Sequence, residues 1–132
     1  MSRTVRHWLA VGLGLLLTAT PLLAHHNITG KFDPSKTRTL KGVVTKLDWA
    51  NPHVHVTMNV KTQKDRLENW NVEFASPGGV IVAGLMKDWL KPGAEITIKG
   101  YPSRKPSKSV LAACATEVTM PDGLTVHFVV GI

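Results

Sequence analysis

Cysteine is almost missing from this chain of 132 residues: Cys114 stands alone, so no internal disulfide can form and the fold must rest on its apolar core. Acidic residues are few, 9 Asp plus Glu against 16 Lys plus Arg. Asp48, Glu73, Glu95 and Glu117 fall at no spacing that pairs an acid with a base. No serine or cysteine lies in a nucleophile signature. Aromatic residues make up only 6%, and Tyr101 with Arg104 and Lys105 is too little for a stacking platform on a nucleic acid. No apolar run reaches the roughly 20 residues of a membrane span, and there is no internal repeat or low-complexity tract. These absences turn the expectation from an enzyme toward a protein that binds.

What is present begins with a leader. Arg3 and Arg6 precede the uncharged run Trp8–Leu17 (WLAVGLGLLL), and Pro21 breaks it before Ala24, the pattern of a secretory signal over residues 1–24. Ala24 supplies the small residue at the cut, with Ala19 a poorer rival and an uncut anchor the alternative. Removing Arg3 and Arg6 lowers the formal charge from +7 to +5. The mature chain is then moderately basic, with scattered lysines and one cluster at Arg104, Lys105 and Lys108. It has the length of one domain, exported to the periplasm or beyond.

Residues 25–39 are polar, carry Gly30 and Pro34 and show no period, which predicts a leading arm. A domain over 40–132 follows, and its pattern runs in twos. Val43, Thr45, Leu47 and Trp49 fall on one side of a first strand. Val54, Val56, Met58 and Val60 alternate with His53, His55, Thr57 and Asn59 in a second, and Trp70, Val72 and Phe74 with Asn69, Asn71 and Glu73 in a third. In SPGGVIVAGLMKDWLKPG the residues Ile81, Leu85 and Trp89 recur every four, Ser76 and Pro77 open the segment and Pro92 and Gly93 close it. This predicts one helix over about 78–90, although Gly78, Gly79 and Gly84 each weaken a helix by about 1 kcal/mol. Strands resume with Ile96, Ile98 and Gly100 on one side. SVLAACATEVTM and LTVHFVVG come next, joined by the turn signal PDG, and Cys114 reads as a small buried filler among Val110, Ala112 and Val118. Three strands, a helix and two or three more strands suit a mainly β fold: a small antiparallel barrel of the oligonucleotide/oligosaccharide-binding (OB) type with the helix plugging one end. A two-sheet sandwich with one helix is the alternative.

Several segments together resemble a family of small exported bacterial proteins described only as a domain of unknown function. They are AHHN after the leader, FDP at Phe32–Pro34, LKGVVTKLDWANPH from Leu40, NWNVEFASPGG from Asn69, LKPG at Leu90–Gly93, KGYPS from Lys99 and MPDG from Met120. Trp-x-Asn-Pro-His and Leu-Lys-Pro-Gly are the most specific. The resemblance implies export and a single β-rich domain and no activity. It gives His55 less weight than His25, His26 or His53, because members commonly carry an apolar or aromatic residue there.

The histidines carry the sharpest functional expectation. A cut after Ala24 frees the amine of His25, and amine and imidazole together can chelate one ion in the manner of a copper histidine brace, with His26 an alternate ligand. Imidazole suits Cu(II), which heads the divalent affinity order. On a strand His53 and His55 project to one face about 6 to 7 Å apart and could complete the site, Asn51 and Pro52 holding His53 in place. His127 joins only if the barrel brings it near. An outward His-x-His pair is equally what a solvated strand face carries. Zinc stays open, but without cysteine partners a closed structural zinc site is not expected. The rival from another class is a metal-free interaction module of the cell envelope, whose groove, edged by Arg104–Lys108, docks a protein or an acidic polymer. A copper redox enzyme would have no residues beyond the same histidines. SPGGV could hold an anion on its free N–H groups, but it lacks the lysine and the length of a phosphate loop.

Overall fold

The computed structural model describes residues 28–107 and 111–129; the leader expected over 1–24 and the paired histidines His25 and His26 lie outside them. Six strands, β1 (Arg38–Asp48), β2 (His55–Lys61), β3 (Leu67–Glu73), β4 (Glu95–Pro102), β5 (Leu111–Thr119) and β6 (Thr125–His127), pair in the order β3-β2-β1-β4-β5-β6, and β3 pairs also with β5. That last pairing is parallel and joins the first strand of the order to the fifth, so β1 to β5 close into a mixed five-stranded barrel of the expected OB type rather than the two packed sheets of a sandwich. β6 extends β5 as a hairpin through the PDG turn, where Gly123 takes φ 90°. Among the described residues no helix is long and apolar enough to cross a membrane.

Closure depends on β1, which gives Gly42–Asp48 to β2 and Arg38–Val43 to β4. The partners overlap at Gly42 and Val43, and at Gly42 the backbones crowd: a Cβ there would stand 2.1 Å from the Asn59 carbonyl oxygen. Gly100 is nearly as tight against β5, with a Cβ 2.2 Å from the Cys114 carbonyl oxygen and 3.2 Å from the Ala115 Cα. Just past the overlap the β1–β2 register shifts between Val44 and Lys46, a bulge that inverts the alternation. This corrects the first strand's expected face. Val43 is exposed and Val44 buried, while Leu47 and Trp49, beyond the extra residue, do pack against the core. β2, β3 and β4 alternate as expected, with Val54, Val56, Met58, Val60, Trp70, Val72, Phe74, Ile96 and Ile98 in one core cluster.

The single helix expected between β3 and β4 is two short pieces, a helix Pro77–Val82 and a 3-10 turn Lys87–Leu90. Ser76 caps the first as expected, its Oγ accepting the Gly79 N–H at 3.2 Å. Gly84 ends it at φ 98°. The Gly84 N–H donates to the Ile81 carbonyl and the Leu85 N–H reaches back to Val80, a Schellman closure whose apolar contact is Val80 with Leu85. The chain reverses there, so Val80, Leu85 and Leu90 plug the barrel, while Ile81 and Trp89 of the expected helical face are exposed.

The arm is also more structured than its composition suggests. A helical turn, Ile28–Lys31, leads to Phe32, which is fully buried and bridges Ser103. The Asp33 N–H donates to the Pro102 carbonyl at 2.9 Å, and Arg104 Nε donates to the Thr29 carbonyl at 2.7 Å. The Asp33 carboxylate accepts from Ser35 Oγ at 2.6 Å and pairs with Lys36 at 3.2 Å. The Ser35 bond first and Lys36 next hold its pKa down at about 2.

Two outcomes follow. Gly100→Ala destabilises the fold by roughly 1 to 3 kcal/mol through overpacking, whereas Gly78→Ala, with nothing within 4 Å of its Cβ, stabilises it by up to about 1 kcal/mol. Urea denaturation of the two variants checks the opposite signs. Asp33 is depressed in the folded state, so its contribution is complete above the unfolded pKa near 4 and is lost as pH falls through about 2. Asp33→Asn is therefore less stable than wild type at pH 6, with the gap closing toward pH 2 in the same measurement.

Candidate functional site

Alternation along β2 and β3 turns His55, Thr57, Asn59, Asn69, Asn71 and Glu73 outward, with His53 just ahead of β2 after a cis Asn51–Pro52 peptide. Cross-strand bonds order this face. Asn69 Nδ2 donates to Asn59 Oδ1 at 3.1 Å, and His55 Nδ1 lies 3.0 Å from Asn71 Oδ1. His53 Nδ1 lies 3.0 Å from the Phe74 carbonyl oxygen. A carbonyl only accepts, so Nδ1 of His53 is the N–H donor and Nε2 carries the lone pair in the neutral ring. His55 against the Asn71 amide oxygen takes the same tautomer. Both imidazoles are thus oriented through Nδ1, the arrangement usual for metal-binding histidines, and both keep Nε2 available.

Glu73 is the centre of this region. Its carboxylate is nearly buried, with side-chain exposure of 11%. One oxygen is paired with the Lys31 ammonium from the arm, and the other stands 3.9 Å from His53 Nε2, too far for a hydrogen bond. The Lys31 ammonium also lies 5.1 Å above the Phe32 ring. On the other side of β3, Glu73 is in register with Cys114. Ala113, Ala115 and Val118 are the core residues of β5, so Cys114 is buried as expected but on the opposite side of the strand. Burial, and then the Glu73 charge, push its thiol up to about 11.

Of the residues singled out in the sequence, His53 and His55 both lie on this face. His25 and His26 fall outside the described residues. His127 is apart, on β6, with Nδ1 3.3 Å from Glu117. Among the described residues no three His, Cys, Asp or Glu side chains are grouped closely enough to hold a metal ion unaided. Sequence reasoning missed Glu73 and Lys31: no local spacing links them, since the contact spans 42 positions. The only signal was an acid on an otherwise neutral polar strand face. In SPGGV the Gly79 N–H is taken up by the Ser76 cap.

A concavity opens at the barrel mouth opposite the plug, where β1, β3 and β5 begin and β2 and β4 end. It encloses about 850 Å³, and Lys36, Arg38, Lys61 and Arg104 line it with Asp33 and Glu68. Lys36 and Arg104 face Asp33, and Lys61 pairs with Asp65 at 2.9 Å. Glu68 accepts the Trp70 indole N–H at 3.1 Å. Its cations are largely matched by acids already.

The model of one protein family, described as Family of unknown function (DUF6152), matches residues 13–112. That range takes in the paired histidines, Trp-x-Asn-Pro-His and Leu-Lys-Pro-Gly, and ends before Met-Pro-Asp-Gly. No curated protein matches the chain.

The Cys114 environment sets a chemical expectation. At pH 8 the folded protein reacts with iodoacetamide roughly 100-fold more slowly than the denatured chain, because the thiolate is scarce and covered. Mass spectrometry of timed samples measures both rates, and equal rates would show an exposed thiol.

Proposed function

Because the chain belongs to the DUF6152 family of unknown function, no activity comes to it by descent, and we propose from its own side chains an exported protein, cut after Ala24, that binds one copper ion. His53 and His55 supply Nε2 donors, and His25 completes the site with its amine and imidazole, His26 being the alternate. The observation that carries this reading is the pair of imidazoles fixed through Nδ1 beside a partly neutralised carboxylate. A nitrogen-rich set with one carboxylate near it suits Cu(II) better than a hard cation. The course of the arm supports the reading as well: Lys31 reaches the same carboxylate that faces His53. His25 is separated from Ile28 by a backbone span of at most about 10 Å. The role is binding, with no residue assigned to catalysis. The metal-free alternative, an envelope interaction module, draws on the basic lining of the opposite groove.

Calorimetric titration of the purified protein with Cu(II), with paramagnetic resonance of the loaded form, tests the copper reading. One ion binds per chain with nitrogen hyperfine structure, and His53→Ala weakens it at least about 10-fold without altering the far-UV dichroism. Intact mass reports whether the chain begins at His25. Undiminished affinity in both His53→Ala and His55→Ala would remove the site.

A further inference from the structure

The plug between β3 and β4 has an outer side that neither the histidine face nor the groove explains. Ile81 is 54% exposed, Val82 88%, Met86 52% and Trp89 36%. Half of the large exposed apolar side chains of the described chain thus fall within nine consecutive residues, whereas Val43, Leu67, Leu124 and Val129 are scattered. Single exposed apolar residues need no explanation, but a concentration of them marks a contact surface. The segment holding them is rigid. Val80, Leu85 and Leu90 are fully buried beneath it, and the Gly84 closure fixes the backbone between them. Little ordering is therefore lost when this surface is covered.

Charge and composition identify what covers it. Lys87 and Lys91 are exposed within the patch and at its end, with Asp88 the one acid among residues 77–94, and the whole chain carries a formal charge of +7. Aliphatic ends, a methionine and a partly exposed tryptophan flanked by lysines match a membrane interface: the apolar tips enter the acyl boundary, the indole lies at headgroup level, and the ammonium groups meet lipid phosphates. A second copy fits less well, since a stable interface uses about 20 to 30 residues a side. A protein partner that inserts an anchor needs a pocket, and the concavity described above lies at the other end of the barrel. We propose that the outer side of residues 81–91 is a peripheral docking surface for an anionic lipid bilayer.

Vesicle co-sedimentation of the purified full chain tests this, with phosphatidylglycerol–phosphatidylcholine vesicles against phosphatidylcholine alone. Binding to the anionic vesicles is expected, weakened at least about 10-fold by the double variant Val82→Asp, Met86→Asp. Lys87→Gln and Lys91→Gln each weaken it about fivefold at low ionic strength. Both pairs of positions are exposed, so thermal melting stays at the wild-type value and loss of binding is separated from loss of fold. Brominated lipid quenches tryptophan fluorescence in the wild type and much less in Trp89→Phe, which distinguishes this surface from the Trp8 leader. The proposal is overturned if the aspartate variant sediments like wild type, if quenching survives Trp89→Phe unchanged, or if the variant instead converts a dimer into a monomer that never bound vesicles.

Discussion

The parallel pairing of β3 with β5 is the constraint on which the rest of the structure depends. A chain without a disulfide has only hydrogen bonds and apolar burial to keep its sheet edges from solvent and from one another. β1 makes closure possible by dividing its length between β2 and β4, and the close approaches at Gly42 and Gly100 let the backbones turn the corner. Once β3 lies against β5, Glu73 has β2 on one side and Cys114 on the other. The polar face is thus assembled by the same contacts that close the core. A residue too bulky at Gly100 would disturb both at once, since the carbonyl it meets belongs to Cys114.

Electrostatics then gives that face its character. A carboxylate nearly out of solvent is unfavourable without a counter-charge, and Lys31 supplies one from the arm. The arm is in turn held by Phe32, Asp33 and the Arg104 bond to Thr29, 75 positions away. The pairing is therefore more than a surface ion pair of little worth: it ties the beginning of the described chain to the strand face that presents His53 and His55. Burial of Cys114 beside that charge favours the protonated thiol. Tautomer control of His53 comes from the backbone itself, through the Phe74 carbonyl just past β3, and that of His55 from the Asn71 side chain.

Much of the architecture was legible because alternation is a local signal. β2, β3 and β4 faced the core as their sequences require, and Ser76, Pro77 and Pro-Asp-Gly marked their cap and turn. What was not legible arose from single-residue events that periodicity averages away. The bulge after Val44 moved one extra residue into β1 and exchanged its faces, so Val43 was assigned inward when Val44 is the buried one. The arm looked like a loop because its anchors, Phe32 and Asp33, are fixed by partners near Ser103 rather than by their neighbours. The histidines of the strand were visible as an outward pair. Their common tautomer and the carboxylate between arm and strand were not, since both rest on contacts remote in sequence.

Gly84 shows how far one such event can reach. Had the segment after Ser76 run on as one helix, the four-residue spacing of Ile81, Leu85 and Trp89 would have carried all three inward, and the outer side would have been mostly polar. The left-handed residue at Gly84 instead reverses the chain, so that the buried residues fall at Val80, Leu85 and Leu90. That five-residue interval fits neither a helix nor a strand. Ile81 and Trp89 are displaced outward to join Val82 and Met86. The apolar outer side is thus a direct consequence of how the barrel end is sealed: the three side chains that fill the opening fix the backbone, and the backbone leaves the remaining four no interior to enter. A side chain at position 84 that resists positive φ would change the seal and the exposed surface together, which couples the stability of the barrel to whatever that surface meets.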